Sequence, residues 1–279
     1  MSTRKDFSKD ATFLIDMTKC TGCRACQEVA CKQWNQLEAE ETEFFSGEGY
    51  QNPPAMSEYT FTRIKFFDYR RNGRNEFVFF KEMCMHCNEP ACASVCPVGA
   101  FKKTKEGPVI YKANRCIGCR FCMIACPFGV PKYEWSKALP LVRKCTGCYS
   151  RVKEGLQPAC ATTCPTAITY GPRDEMIKEA EERLARYPDR YFPRIYGKDA
   201  AGGTSVMYLT RRPFDELGFK PVTHRPLPEY TQQALRWVPA MFLAVGGGLS
   251  ALSWITHRKE RLRKEQEEQT THTSEPKED

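Results

Sequence analysis

Sixteen cysteines stand in this chain of 279 residues, and they fall into four groups of four. The groups are Cys20, Cys23, Cys26 and Cys31; Cys84, Cys87, Cys92 and Cys96; Cys116, Cys119, Cys122 and Cys126; and Cys145, Cys148, Cys160 and Cys164. Thiolates are soft ligands. Three of them at two-residue spacing let one loop wrap three corners of an iron–sulfur cube, while the fourth corner faces away. In the bacterial two-cluster arrangement the last cysteine of each run lies about one helical turn on and serves the other cluster. Pro97, Pro127 and Pro165 follow the last cysteine in groups two, three and four, but Lys32 follows Cys31.

This rule makes the groups exchange ligands. Cys116, Cys119 and Cys122 take Cys96 as their fourth, and Cys84, Cys87 and Cys92 take Cys126. Cys20, Cys23 and Cys26 then borrow Cys164, which leaves Cys145, Cys148 and Cys160 one ligand short. Cys31 completes that site by elimination, although four residues rather than three separate it from Cys26. The extra residue turns a side chain about 100° further round an ideal helix, so a bulge near Gln27 to Ala30 is expected to restore its aim. The alternative is an unligated Cys31 beside a three-iron cluster. The expectation is four [4Fe-4S] clusters and no catalytic residue.

Other uses of cysteine fit less well. Disulfide frameworks belong to short secreted chains, and MSTRKDFSKDATFLID shows neither an apolar signal core nor twin arginines. Zinc sites pair CxxC motifs but do not run CxxCxxC into CP. A cysteine nucleophile needs a positioned base, and of the four histidines only His86 falls inside a cysteine group. His86 reads as a hydrogen-bonding neighbour of a cluster. The formal charge of +8 is scattered, without the basic, aromatic-interleaved stripe of a nucleic-acid binder, and suits docking to an acidic partner.

The elements that hold the cysteines also repeat. FLIDMTKCTGC before group one matches VIYKANRCIGC before group three, each a short strand, a link and a basic residue. Strand-like runs follow groups two and four in CPVGAFKKT and CPTAITYG, and Lys105 to Pro108 forms a hairpin turn between AFKKT and VIY. Groups two and three thus form one unit (84–140), enclosed by another from groups one and four (1–31 with 141–175). The expected fold is α+β: two nested bacterial ferredoxin-like units with β-hairpin insertions. Within 32–83 lies a loop with some helix, then a hairpin turning at Asn72 and Gly73. Residues 176–236 supply a helix, a strand and a linker, the helix being the amphipathic PRDEMIKEAEERLARY.

Residues Trp237 to Thr256 contain no charge, and as a helix would cover roughly 30 Å, the thickness of a hydrocarbon core. Tryptophans stand near both ends, and five basic residues from Arg258 to Lys264 follow. This reads as one transmembrane helix with its C-terminus in the cytoplasm and the cluster domain outside, the alternative being a buried helix of the soluble part. Ala240, Ala244 and Gly248 form a small-residue stripe, either for close helix packing or as part of a flexible glycine run. From 257 the tail is basic, and beyond Gln266 it is expected to be disordered.

Four nested cysteine groups, CTGCYSRVKEGLQPACATTCPTAITYG, GGTSVMYL at Gly202 to Leu209 and one terminal membrane helix together resemble the iron–sulfur (beta) subunit of membrane-bound formate dehydrogenase. The likeness runs from about Phe13 to Ile255. That family belongs to the electron-transfer subunits of molybdopterin oxidoreductases. The resemblance implies a molybdenum or tungsten bis-pterin alpha subunit that oxidises formate, a cytochrome b gamma subunit that reduces quinone, and anchorage in the inner membrane. It also implies export of the folded chain on an alpha subunit carrying a twin-arginine signal. Two features qualify the likeness: the added residue before Cys31 departs from the family pattern, and the intact group three with Cys119 argues against nitrate reductase. The same role beside a hydrogenase or another molybdopterin enzyme, and a free-standing membrane polyferredoxin, remain as alternatives.

Overall fold

A computed structural model describes Phe7 and residues 10–42, 51–71 and 74–273. The fold is mixed α+β, with small sheets and one long terminal helix. The chain divides into a larger unit through Pro228 and a second from Glu229 onward.

The larger unit begins with β1 (Ala11–Asp16), all six residues of which are buried. The apolar run fits a central strand covered on both faces. Asp16 ends it: the buried carboxylate accepts from Thr18 N–H, Tyr191 Oη and Arg183 Nη1 at 3.1, 2.7 and 2.9 Å. A π-helix (Cys26–Lys32) leads directly into a single α-turn, α1 (Gln33–Asn35). The hairpin of β2 (Thr62–Arg71) and β3 (Arg74–Met83) keeps register from Thr62–Met83 to Arg71–Arg74. Its expected turn, Asn72 and Gly73, lies outside the described residues.

The middle of the chain carries α2 (Ala91–Ser94), the paired β4 (Phe101–Lys103) and β5 (Val109–Tyr111), and α3 (Phe121–Ala125). Two short paired strands, β6 (Lys132–Tyr133) and β7 (Val142–Arg143), follow. The turn at Lys105 to Pro108 is present, and its carbonyls accept from Asp10 N–H and Ala11 N–H at 2.7 and 3.1 Å, fastening the middle segment to β1. Gly107 has φ +111° there, and a Cβ on it would strike the Ala11 carbonyl.

Next come α4 (Tyr149–Lys153), α5 (Ala159–Thr163), β8 (Ile168–Pro172), α6 (Arg173–Arg186) and β9 (Val206–Leu209). The sheet order is β8-β1-β9, β1 running antiparallel to β8 and parallel to β9. The repeated flanks of groups one and four therefore meet as neighbouring strands. α6 opens with Asp174 and Glu175 and closes with Arg183 and Arg186, matching the helix dipole. Its apolar face sets Met176 and Ala180 against Leu14, Met207 and Leu209.

The second unit is helical. α7 (Leu227–Thr273) holds 47 residues, including an apolar stretch of mean hydropathy 1.6 long enough to cross a membrane. It extends past both ends of the expected span. Its polar end is helical through Thr273 where the sequence suggests disorder. RLRKEQEEQ is rich in strong helix formers, which propagate an existing helix without a new nucleation cost.

Candidate functional site

The loops that carry the cysteines share a backbone signature. Gly22, Gly118 and Gly147 all adopt φ between +64° and +72°. That conformation is open to glycine and turns the amide back toward the preceding cysteine: Gly118 N–H donates to Cys116 Sγ, and Gly147 N–H to Cys145 Sγ, both at 3.4 Å. Space is limited as well, since a Cβ on Gly22 would lie 2.7 Å from the Phe79 ring. His86 takes the glycine's place in group two, at φ +48°. Its Nδ1 accepts from Val109 N–H at 2.9 Å, which leaves the ring proton on Nε2. Burial, with Lys144 and Lys103 nearby, holds this imidazole well below its usual pKa and neutral. Nε2 is buried with no hydrogen-bond partner among the described residues.

The thiols gather in four sets, each drawn from two groups. Burial pushes Cys20 up to about 11, and the thiols whose charge adds to this are Cys26, Cys164 and Cys23 (set A). Those four line one cavity. Burial raises Cys87 well above the usual thiol range, with Cys84, Cys126 and Cys92 as its thiol neighbours (set B). Cys122 is raised to about 11 by burial and then by Cys116, Cys119 and Cys96 (set C). Cys31 is raised well above the usual range by burial and by Cys145, Cys160 and Cys148 (set D). In each set one thiol, Cys20, Cys87, Cys122 or Cys31, thus feels the charge of the three others named with it.

The displaced Cys31 reaches its set through the π-helix. Ala30 N–H donates to Ala25 C=O, five residues back, at 2.9 Å. An i→i+5 turn stacks residues five apart, so Cys31 lies over Cys26 much as a residue four on does in an α-helix. Buried Gln27 anchors the wide turn: its Oε1 accepts from Ile64 N–H at 2.8 Å and its Nε2 donates to Asn52 C=O at 2.9 Å.

Charge neighbours across the sets link them in order. Cys160 of D feels Cys26 of A, Cys145 of D feels Cys84 of B, and Cys92 of B feels Cys122 of C. The row runs A–D–B–C. Cys23 and Cys119, in the sets at its two ends, are exposed, while within it all four cysteines of D are buried and those of B half-buried.

These sites suit a multi-iron cluster. Among the described residues no three His, Cys, Asp or Glu side chains converge as a single metal ion would need. A cube with an iron at each ligated corner spreads its thiolates further apart. Thiols raised to about 12 by burial, as in Cys92, Cys145 and Cys160, ionise only with a strong positive partner, which a bound metal is. Amide donors to Cys96 Sγ from Ala100 and to Cys164 Sγ from Ala167, at 3.2 and 3.3 Å, add to that stabilisation.

Other functional residues escape a sequence reading. GGTSVMY serves the group-two loop: Asn88 N–H donates to Gly203 C=O and Ser205 N–H to His86 C=O, while Thr204 bridges Cys87. Lys103 Nζ joins the clamp, donating to His86 C=O and Ser205 Oγ at 2.9 and 2.7 Å. Lys81 is buried against the thiols: burial alone would lower its pKa, but the charges of Cys26, Cys160, Cys31 and Cys145 outweigh that and raise it. The signal for both lysines was their nearness to a cysteine group.

Residues 75–172 match the 4Fe-4S dicluster domain family. Over 209 residues the chain is 39% identical to the nitrate-inducible formate dehydrogenase iron-sulfur subunit of Escherichia coli strain K12, covering 74% of this chain and 69% of that one. Over 264 residues it is 35% identical to the formate dehydrogenase iron-sulfur subunit of Haemophilus influenzae, covering 91% and 81%. It is also 34% identical over 243 residues to the hydrogenase-2 operon protein HybA of E. coli O157:H7, covering 73% and 71%. Likeness at this level across most of both chains, on a scaffold whose thiols sit in fours, makes this chain a member of the family of dicluster iron–sulfur electron-transfer subunits, a relay rather than a catalyst.

Proposed function

We propose that this chain carries four [4Fe-4S] clusters, one per thiol set, and relays electrons from formate oxidised at a molybdopterin subunit to a cytochrome b in the membrane. The observation that carries this reading is the row A–D–B–C, most deeply buried at D and open at both ends. Bound clusters would supply one-electron carriers whose potentials follow burial, hydrogen bonds to sulfur and local charge. The chain's residues would hold them in order, exclude water at the centre and present Cys23 and Cys119 to partners at the ends. Two nested ferredoxin-like units account for this layout, A with D in the outer unit and B with C in the inner one. The imidazole of His86, with Nε2–H unspent, is placed to donate to a cluster sulfur beside Gly147, whose added Cβ would lie 3.3 Å from its Cε1.

α7 would anchor the chain, its basic end at Arg258 to Lys264 on the cytoplasmic side and the clusters on the other. Deleting residues 237–279 is expected to release brown, cluster-loaded protein from membranes. Protein that stays bound would remove α7 as the anchor.

The relatives named for formate dehydrogenase favour formate as electron source, and the hydrogenase-2 operon relative keeps hydrogen as the second reading. Native membranes bearing the tagged chain, solubilised without oxygen, separate them by visible absorption. Bleaching by formate alone supports the first reading. Bleaching by hydrogen alone moves the chain to a hydrogenase, and dithionite bleaching with neither substrate active overturns both.

A further inference from the structure

The relay reading does not account for Lys81. It stands on β3 opposite Ile64, 2% exposed, with Nζ donating to Thr62 Oγ1 at 2.6 Å. It also forms part of the wall of the cavity enclosed by Cys20, Cys23, Cys26 and Cys164. The charges of Cys31, Cys145 and Cys160 of set D also act on it. Burying an ammonium costs several kcal/mol unless opposite charge meets it, and one hydroxyl does not supply that charge. Among the described residues no carboxylate forms an ion pair with Lys81, whereas Arg63 on the same hairpin pairs with Glu82.

Buried Lys144 and half-buried Lys103 are occupied differently. Lys144 donates to the carbonyls of Val109 and Cys145, and Lys103 to His86 C=O and Ser205 Oγ. Lys81 has a single hydroxyl and two sets of sulfur.

A four-iron cluster held by four thiolates is net negative in both oxidation states and gains one further negative charge when it accepts an electron. A fixed cation beside it therefore favours the reduced form, and in a low-dielectric interior it does so strongly. Resting on the ligand sets given above, we propose that Lys81 is a counter-ion shared by the clusters of sets A and D. It raises the reduction potential of both. The junction between A and D thus stays passable where burial would otherwise disfavour reduction.

The test is a potentiometric titration, followed by electron paramagnetic resonance with dithionite as reductant, on the membrane complex purified with the full chain. Iron content of the unaltered chain is measured first, since a shortfall there would overturn the four-cluster reading rather than this one. With Lys81→Met, two of the four potentials are expected to fall by at least a tenfold change in the reduction equilibrium, about 59 mV for a one-electron couple. The other two are expected to move less, and Lys81→Arg to stay near the unaltered values. Unchanged potentials in loaded Lys81→Met protein would overturn the proposal, as would an equal shift in all four. Lys81→Gln keeps a donor for Thr62 without the charge. If neither neutral variant holds its iron while Lys81→Arg does, the charge is required at sets A and D and the proposal stands. If all three lose it, Lys81 is a packing element and the proposal falls.

Discussion

Group one and group three begin alike, as CTGCRAC and CIGCRFC, with glycine and arginine in the left-handed region at matching places. They then part. After Cys119 the chain enters α3 and reaches Cys126 four residues past Cys122; after Cys23 it enters a π-helix and reaches Cys31 five residues past Cys26. Both last cysteines nonetheless end among three thiols of the partner group. What is kept between the two regions is the direction of a thiol one turn on, and the backbone accepts a less favourable helix to keep it. The wide turn is held from outside, by Gln27 reaching the hairpin strand β2 at Ile64 and the loop at Asn52.

Cys31→Ser is the strongest way to break this parallel. It is expected to strip set D of its fourth thiolate and leave a three-iron cluster, seen as loss of iron and a new paramagnetic signal in the oxidised protein. An unchanged iron content would make Cys31 a bystander and the likeness to Cys126 accidental. Cys164→Ser tests the exchange from the other end. It should damage the cluster of set A and spare that of set D, and spectra showing the reverse would end the ligand-exchange scheme.

A smaller effect is expected at Gln27. Gln27→Leu strands the buried Ile64 N–H and removes a donor from the Asn52 carbonyl, costing about 1–3 kcal/mol, visible as a lowered denaturation midpoint with cluster content retained. Were the midpoint unmoved, the π-helix would need another explanation. Deleting exposed Val29 should do least, because the run regains the spacing of group three and can close as an α-turn with Cys31 still aimed at set D. Loss of a cluster in that variant would mean that the wide turn itself, not the direction it provides, is what the site needs.

The sequence made legible what depends on local repetition. Matching flanks foretold that the strand before group one meets the strand after group four, and β1 pairs with β8 from Ala11–Pro172 to Ile15–Ile168. The extra residue before Cys31 called for a bulge, and the chain answers with a π-helix. What stayed hidden depends on contacts distant in sequence. GGTSVMY looked like a family marker, yet it is the strand that runs parallel to β1 and clamps the loop of Cys87. Lys81 sits in FFKEM, a charged residue that gives no sign in sequence of its burial beside the thiols. The polar end of α7 shows that composition alone does not stop a helix already under way.

The central claim is that all sixteen cysteines hold iron. The most direct measurement is the ratio of iron to chain in complex purified without oxygen, with acid-labile sulfide as the check and the iron of the partner subunits subtracted. One iron per cysteine, sixteen in all, is the expected result. About half that number would leave two thiol sets empty and contradict the account.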